Sequence, residues 1–493
     1  MACCGVWLQG HNARDPPEPV PMNAAYAAPE LPAQLQWLNA DPQRIEAHRG
    51  RVLGLVFWNA ASPYCHTLLG ELQRLQAKFP LGLSLIGIHL PRFDSELDGR
   101  LVLKAANRLG LPFPVANDRG WSTWQHYGIR SWPSVALVDT RGRLRELFTG
   151  DDQASRLETA IQGLVDEVGG ALVQADPPRR LGAEARLPLS FPSGLAVGEN
   201  HLYVADTGHH RILECTHSGR VLREFGTGHG DLVDGAPEDA AFRHPRGLCL
   251  VRESLYVADT GNHALRRIRL LDGAVETLAG TGRPGTPREG SGKASELPLN
   301  QPWDVVGNLD RIYIAMAGAN QVWEFELGEA RLKLTAGSGE LGLADGPAHG
   351  AMFAHPAALA QVQQTLYIAD AASSAIRSLQ ITQGQVQTLV GQGLYEFGDQ
   401  DGQRREARLQ YPLALALDPS SPVLWIADSY NGSLRRLRLG GGDVSTHPLA
   451  QQLEQPAALA AAPGSLWIAN SGAHEVLRYD LGTGKLGRLP IGE

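Results

Sequence analysis

Two rhythms of apolar and polar residues divide the chain. From residue 51, "RVLGLVFW" and "LSLIGIHL" are unbroken apolar runs of the kind shown by strands buried on both faces. Between them, "PYCHTLLGELQRLQAKF" places Leu68, Leu72, Leu75 and Phe79 at helical spacing, with Ser62 suited to the N-cap and Pro63 to the first helical position. A second helix is expected over "SELDGRLVLKAANRLG", ended by Gly110, then a short strand in "FPVAND". "PSVALVDTRGRLRELFTG" reads as a hairpin through Arg141-Gly142, and "DQASRLETAIQGLVDEV" as a closing amphipathic helix. The order predicts an α/β sandwich with a helix on each side of a mixed sheet.

After a Pro-, Gly- and charge-rich stretch the pattern becomes short strands that repeat. "FPSGLAVGENHLYVADTGHHRIL" from Phe191 returns as "HPRGLCLVRESLYVADTGNHALRRI" from His244, and four more times. The repeated prolines, Pro192, Pro245, Pro302, Pro356, Pro412 and Pro456, are spaced by 53, 57, 54, 56 and 44 residues. Each copy holds three short strand runs, several followed by a fourth. A four-stranded sheet of this period cannot bury both faces until its neighbours stack around an axis, so six copies predict a six-bladed β-propeller. Either "ARLPLS" or the final "KLGRLPI" should complete a blade. Three connections, "DLVDGAPEDAAFRHP", "LADGPAHGAMFAHP" and "DQDGQRREARLQYP", share an Asp-Gly turn and an apolar anchor before Pro.

Composition narrows the partners. A chain of 493 residues exceeds one core. The organisation expected is a flexible segment over 1–29, an α/β domain over 30–168, a linker over 169–185 and the propeller over 186–493. A formal net charge of −8 gives no long-range attraction for phosphate backbones, so nucleic acid is not an expected partner. The five cysteines, Cys3, Cys4, Cys65, Cys215 and Cys249, are odd in number and scattered, which suits a reducing cytoplasm better than a secreted disulfide framework. No apolar run approaches the length of a membrane span, and the N-terminus lacks the pattern of an export signal.

The turn "FWNAASPYC" before a helix, with Trp132-Pro133 just before the strand of "IRSWPSVALVD", resembles the thioredoxin fold. That resemblance implies a Cys-x-x-Cys turn facing a cis-proline whose neighbours offer their backbone to a substrate chain. Here Ser62 stands at the first cysteine position, Cys65 at the second, and Pro133 matches the cis-proline. A serine hydroxyl is too weakly acidic to replace the attacking thiolate, so dithiol exchange within this turn is excluded. The helix dipole favours a thiolate at Cys65, whereas a covered second position leaves a lone thiol inert. His66 reads as a base partner or, more simply, as a polar surface residue.

"YVADTGNHALRRI" resembles the NHL repeat, in which Asn262 and His263 match the turn most closely. Asp206, Asp259, Asp370 and Asp428, at the same place in their copies, read as residues satisfying turn amides. In a zinc-dependent lyase built on this repeat, the position after Pro supplies pore-lining histidines. Here those positions are Ser193, Arg246, Trp303, Ala357, Leu413 and Ala457, and no metal set is present. Neither a metal nor another cofactor is expected. Arg246, Trp303 and Asp304 are candidates for a small binding spot at the channel mouth, or for a plug within it.

A thioredoxin-like domain followed directly by NHL repeats resembles the NHL repeat-containing protein 2 family over nearly the whole chain, which implies an intracellular protein. Two functions follow. The first is a binding or scaffold protein, recognising a protein or small ligand through the propeller mouth or through the groove of Tyr64, Trp132 and Pro133. The second is a thiol-dependent oxidoreductase acting on peroxide or disulfide through Cys65. The first is favoured, because half of the residue chemistry for the second is missing.

Overall fold

The computed structural model describes residues 26–167, 187–285, 287 and 290–492. The expected linker and most of the expected leading segment lie outside them. The chain divides into two compact units, one ending at residue 185 and the other beginning at 186.

The first unit is built on a seven-stranded mixed sheet in the order β1-β7-β6-β3-β4-β5-β2. The strands are β1 (Tyr26–Ala27), β2 (Gln36–Trp37), β3 (Val52–Trp58), β4 (Leu83–His89), β5 (Val115–Asn117), β6 (Ser134–Val138) and β7 (Arg143–Thr149). β3, β4 and β5 are parallel; β6 and β7 form the antiparallel hairpin. The helices are α1 (Pro63–Lys78), α2 (Gly99–Arg108), α3 (Ser122–His126) and α4 (Ala154–Asp166). Residues of β3 point alternately to two cores. Val52, Val56 and Trp58 join Leu68, Leu72 and Leu75 of α1 and Leu157 and Ile161 of α4, whereas Leu53, Leu55 and Phe57 meet Leu31, Ile45 and Tyr127. This is why β3 reads as an unbroken apolar run.

Two local expectations are corrected. Tyr26–Ala27, placed in the flexible leading segment, is an edge strand paired with Leu144 and Arg143. The second helix begins four residues later than Ser95, because Asp94–Leu97 forms a 3₁₀ turn and Asp98 caps α2 by accepting the Arg100 amide.

The second unit is a six-bladed propeller of meandering sheets spanning 194–225, 245–279, 302–336, 356–390, 414–447 and 456–488. The last blade takes Leu486–Arg488 of the final segment as its outer strand. Six apolar clusters fill the six junctions between blades. The closing one brings Leu195 and Leu213 of the first blade onto Trp467 and Val476 of the last, with Leu189, Leu489 and Ile491 beside them. The ring is therefore closed and no blade face is left open.

Candidate functional site

Ser62 is the N-cap of α1: its Oγ accepts the Cys65 amide at 3.4 Å, and Pro63 follows at the first helical position. Ser62 is only 3% exposed and Cys65 is wholly buried. The Asn59 amide donates to Cys65 Sγ at 3.3 Å. Burial pushes the Cys65 thiol up to about 12, and the carboxylates of Asp151 and Glu96 add to the rise. The helix dipole does not prevail, since desolvation penalises the thiolate more strongly. His66 turns to the loop, its Nε2 donating to the Ala60 carbonyl at 2.9 Å.

A buried polar chain lies next to this thiol. Asn59 Nδ2 donates to Leu90 O at 2.8 Å and to Glu96 Oε2 at 2.9 Å, and Glu96 Oε2 also accepts the Arg92 and Phe93 amides. His89, fully buried, has its pKa lowered from the ordinary histidine value by burial, against the pull of the Glu96 charge, and shares a hydrogen bond with Asn117 Oδ1 through Nδ1 at 3.0 Å. Glu96 was hidden from sequence reasoning, because "SELDGR" looks like an exposed helix start.

The Trp132-Pro133 bond is cis. Pro133 O accepts the Gly150 amide at 2.9 Å, and the next residue, Asp151, is the one whose carboxylate acts on Cys65. Trp132 packs against the core that contains Cys65, while Tyr64 stays partly exposed on the first turn of α1. Trp132 also meets Trp121 and Trp124, with ring centroids 5.3 to 5.8 Å apart among the three. Trp121 holds φ 57 and ψ 22, a left-handed conformation that costs a bulky residue about 1–2 kcal/mol. Asp118 maintains it: Oδ1 accepts the Ser122 amide and hydroxyl, and Oδ2 accepts the Thr123 and Trp124 amides. The three rings were visible in "WSTWQHYGIRSWP" as letters, but their irregular spacing gave no sign that they meet.

In the propeller, the residue after the repeated proline lines the axis in five blades, whereas in the second blade Gly247 and Leu248 do so in place of Arg246. They enclose a cavity of about 40 Å³, lined among others by Ser193, Trp303, Asp304, Ala357, Leu413 and Ala457, which is room for only about three waters. Glycine is needed there in the first two blades. A Cβ on Gly194 would lie 1.9 Å from Arg246 O, and one on Gly247 would lie 2.3 Å from Asp304 Oδ1. Arg246 stacks on Trp303 at 4.4 Å, and Trp303 Nε1 donates to Gln301 Oε1 at 3.4 Å. Asp304 Oδ2 accepts the Leu359 amide at 2.8 Å, tying the third blade to the fourth, and burial pushes its carboxyl up to about 7. These three side chains are thus engaged with the protein itself.

The repeated acids cap turns. Asp259 Oδ1 accepts the Arg243 amide at 2.8 Å, and Asp370 Oδ1 accepts the Ala354 amide at 2.6 Å. Among the described residues no group of three or more His, Cys, Asp or Glu is placed to hold a metal ion, and no helix is long and apolar enough to cross a membrane.

The Redoxin family matches residues 26–161 and the NHL repeat matches residues 189–215. NHL repeat-containing protein 2 of Gallus gallus is 31% identical over 520 residues, covering 94% of this chain and 71% of its own length. The chain belongs to the NHL repeat-containing protein 2 family. The human member of the family is 30% identical over 527 residues, with 72% of its length covered. A longer relative, Protein SUPPRESSOR OF QUENCHING 1, chloroplastic, of Arabidopsis thaliana, is 33% identical over 500 residues. The chain spans about half of that relative, 47%, so what the whole relative does is not carried over.

Proposed function

We propose that this member of the family is a binding protein, in which the thioredoxin-like domain keeps the architecture of a redox site without its chemistry. One observation carries the reading: Cys65 is wholly buried with its thiol pushed up to about 12, and the Ser62 oxygen is spent on capping α1. At pH 7 such a thiol is almost never ionised, and the serine that replaces its partner carries no electrons. What stays accessible near Pro133 is aromatic: Trp121, Trp124 and Trp132 are only partly buried. Rigid aromatic side chains beside a fixed backbone are well suited to recognising another chain.

In this reading the propeller is a scaffold whose axis is filled by its own side chains, and its partners meet its outer surfaces. Cys65, Cys215 and Cys249 are all unpaired, which supports a reducing compartment such as the cytoplasm. The test is catalytic. Purified protein should fail to reduce insulin with dithiothreitol or with thioredoxin reductase, and Cys65→Ser should retain the partners captured by the parent. Stoichiometric oxidation of Cys65 under mild peroxide, faster than at Cys215 and Cys249, would overturn it in favour of the oxidoreductase.

A further inference from the structure

Four blades of the propeller share one device on their outer strands. A residue near the start of that strand faces away from the blade and pairs with a glycine of the preceding connection: Val275 with Gly235, Leu332 with Gly292, Val386 with Gly346 and Val444 with Gly402. Val275 and Val444 exchange both backbone hydrogen bonds with their glycines, at 2.8 to 3.0 Å. Each glycine stands ten positions before its repeated proline, and Gly235, Gly346 and Gly402 hold φ between 130 and 149, a region that side chains other than glycine rarely enter. The same spacing from Pro192 reaches Gly182, which lies outside the described residues. From Pro456 it reaches Thr446, which already belongs to the outer strand of the fifth blade. The sixth blade is therefore left unfinished by its own connection.

Its outer strand, Leu486–Arg488, ends the sheet, and among the described residues no strand pairs with it from outside. Leu486 pairs with Tyr479 as Val275 does with Ile268 and Val444 with Leu437, so the alternation of an antiparallel ladder turns its N–H and C=O outwards. An open edge of this kind is a template for another extended chain. The finished blades also show which side chain is read there. In three of them an Asp precedes the glycine and accepts the amide and hydroxyl of a threonine two positions beyond the paired residue: Asp234 with Thr277, Asp345 with Thr388 and Asp401 with Thr446. In the third blade both are missing, with Ser291 before Gly292 and Leu334 in the place of the threonine. In the sixth blade that place is held by Arg488, an exposed side chain 3.6 Å from Glu475. A carboxylate arriving there meets a guanidinium where its counterparts meet a hydroxyl, and a charge-assisted bond is the stronger of the two.

We propose that the outer edge at Leu486–Arg488 takes an extended Asp-Gly segment of a partner protein as a fifth strand, its glycine opposite Leu486 and its carboxylate on Arg488. The inference rests on the reading that partners meet the outer surfaces of the propeller, and names the chemistry of one of them.

The experiment uses the full chain and a capped, fluorescein-labelled peptide with the sequence of residues 342–350, "GLADGPAHG", read by fluorescence anisotropy. Binding is expected to slow hydrogen exchange at least about tenfold in the fragment that contains Leu486, followed by mass spectrometry. Asn in place of the peptide's Asp should weaken binding at least about fivefold, and N-methylglycine in place of its central glycine, which removes the N–H, should abolish it. Arg488→Gln should weaken the Asp peptide to the level of the Asn peptide and leave the Asn peptide unchanged. Leu486→Pro, at the first position of an edge strand where proline is accepted, should remove binding of both, with circular dichroism confirming the fold of each variant. If the Asp and Asn peptides bind alike and Leu486→Pro removes both, the edge adds strands without reading Asp-Gly, and the chemistry proposed is overturned. No binding, or binding unchanged in Leu486→Pro, overturns the site itself. Slow exchange at Leu486 without peptide also overturns it: the cover is the chain's own if the rate is independent of protein concentration, and a second copy if it falls with concentration. The insulin assay above tests the binding reading separately.

Discussion

Phe191 and His474 stand 283 positions apart and close the propeller: the Phe191 amide donates to His474 Nδ1 at 3.2 Å, and their rings lie 4.2 Å apart. The same clasp recurs around the ring. The residue before each repeated proline has a positive φ, and at four further junctions its amide is taken by the residue that ends the preceding blade's turn: His210 for His244, His263 for Gln301, Asn320 for His355 and Ser374 for Tyr411; before Gln455 that position is Gly432, which has no side chain to accept. Removing the acceptor leaves a covered amide unpaired, at about 1–3 kcal/mol. His474→Ala should lower the propeller's stability to urea by that amount and speed hydrogen exchange at the Phe191 amide. Unchanged exchange there would show that packing of the closing junction suffices alone.

The clasp also predicts a pH dependence. Burial, with the Arg243 charge, lowers His263 from its ordinary 6.5 to about 4, and its Nδ1 must stay unprotonated to accept the Gln301 amide. Between pH 4 and 6.5 the unfolded chain takes up a proton that the folded chain refuses. This contribution to stability is therefore full above pH 6.5 and is lost as pH falls towards 4. His263→Asn substitutes the acceptor that the next blade already uses at Asn320. It should leave stability at pH 7 within about 1 kcal/mol of the parent, and recover about 2 kcal/mol of the loss on going from pH 7 to 5. Urea midpoints at the two pH values give the comparison; parallel losses in parent and variant would contradict it.

A second repeated device holds the Asp-Gly connections. Arg266 is fully buried and reaches Asp259 through Nη1 and Asp234 through Nη2, both at 2.8 Å, as well as the carbonyls of Ala241 and Val233. Asp234 in turn accepts the amide and hydroxyl of Thr277. Arg377, Asp370, Asp345 and Thr388 repeat the arrangement in the fourth blade. Arg266→Met should cost about 3–5 kcal/mol, because it strands the buried Asp259 carboxylate. Asp234→Asn, at a half-exposed position, should cost about 1 kcal/mol. Equal effects in urea denaturation would mean that the loop, not the buried acid, carries the strength of the network.

How much of this was legible follows from the distance over which each feature is encoded. The helix start at Ser62-Pro63 and the prolines of the repeats are local, and they predicted the cap, the fold and the number of blades. The Asp-Arg pairs lie seven positions apart at Asp259/Arg266, Asp370/Arg377 and Asp428/Arg435, a fixed spacing that a closer reading of the repeats could have found. The clasp was not readable, since His263 looks like a turn residue until the next blade's Gln301 amide is brought to it. Glu96 and the tryptophan cluster were hidden for the same reason: their partners, Asn59 and Trp132, come from other elements.

Cys65 gives the last prediction, because burial and lost chemistry can be separated at this turn. In the parent, alkylation by iodoacetamide at pH 8, followed site by site by mass spectrometry, should modify Cys65 at least about a hundredfold more slowly than in the chain unfolded in guanidinium, since a thiol pushed up to about 12 has a negligible thiolate fraction. Ser62→Cys returns a thiol to the N-cap, at about 1 kcal/mol for the lost cap oxygen. If the missing sulfur is what silences the site, this variant should form an intramolecular disulfide with Cys65 under diamide and reduce insulin at least tenfold faster than the parent. A variant that forms the disulfide yet remains inactive would place the block in the 3% exposure of position 62 instead, since a nucleophile that substrate cannot reach is silent whatever its pKa. Rapid alkylation of Cys65 in the folded parent would contradict the burial argument itself and return the oxidoreductase reading to first place.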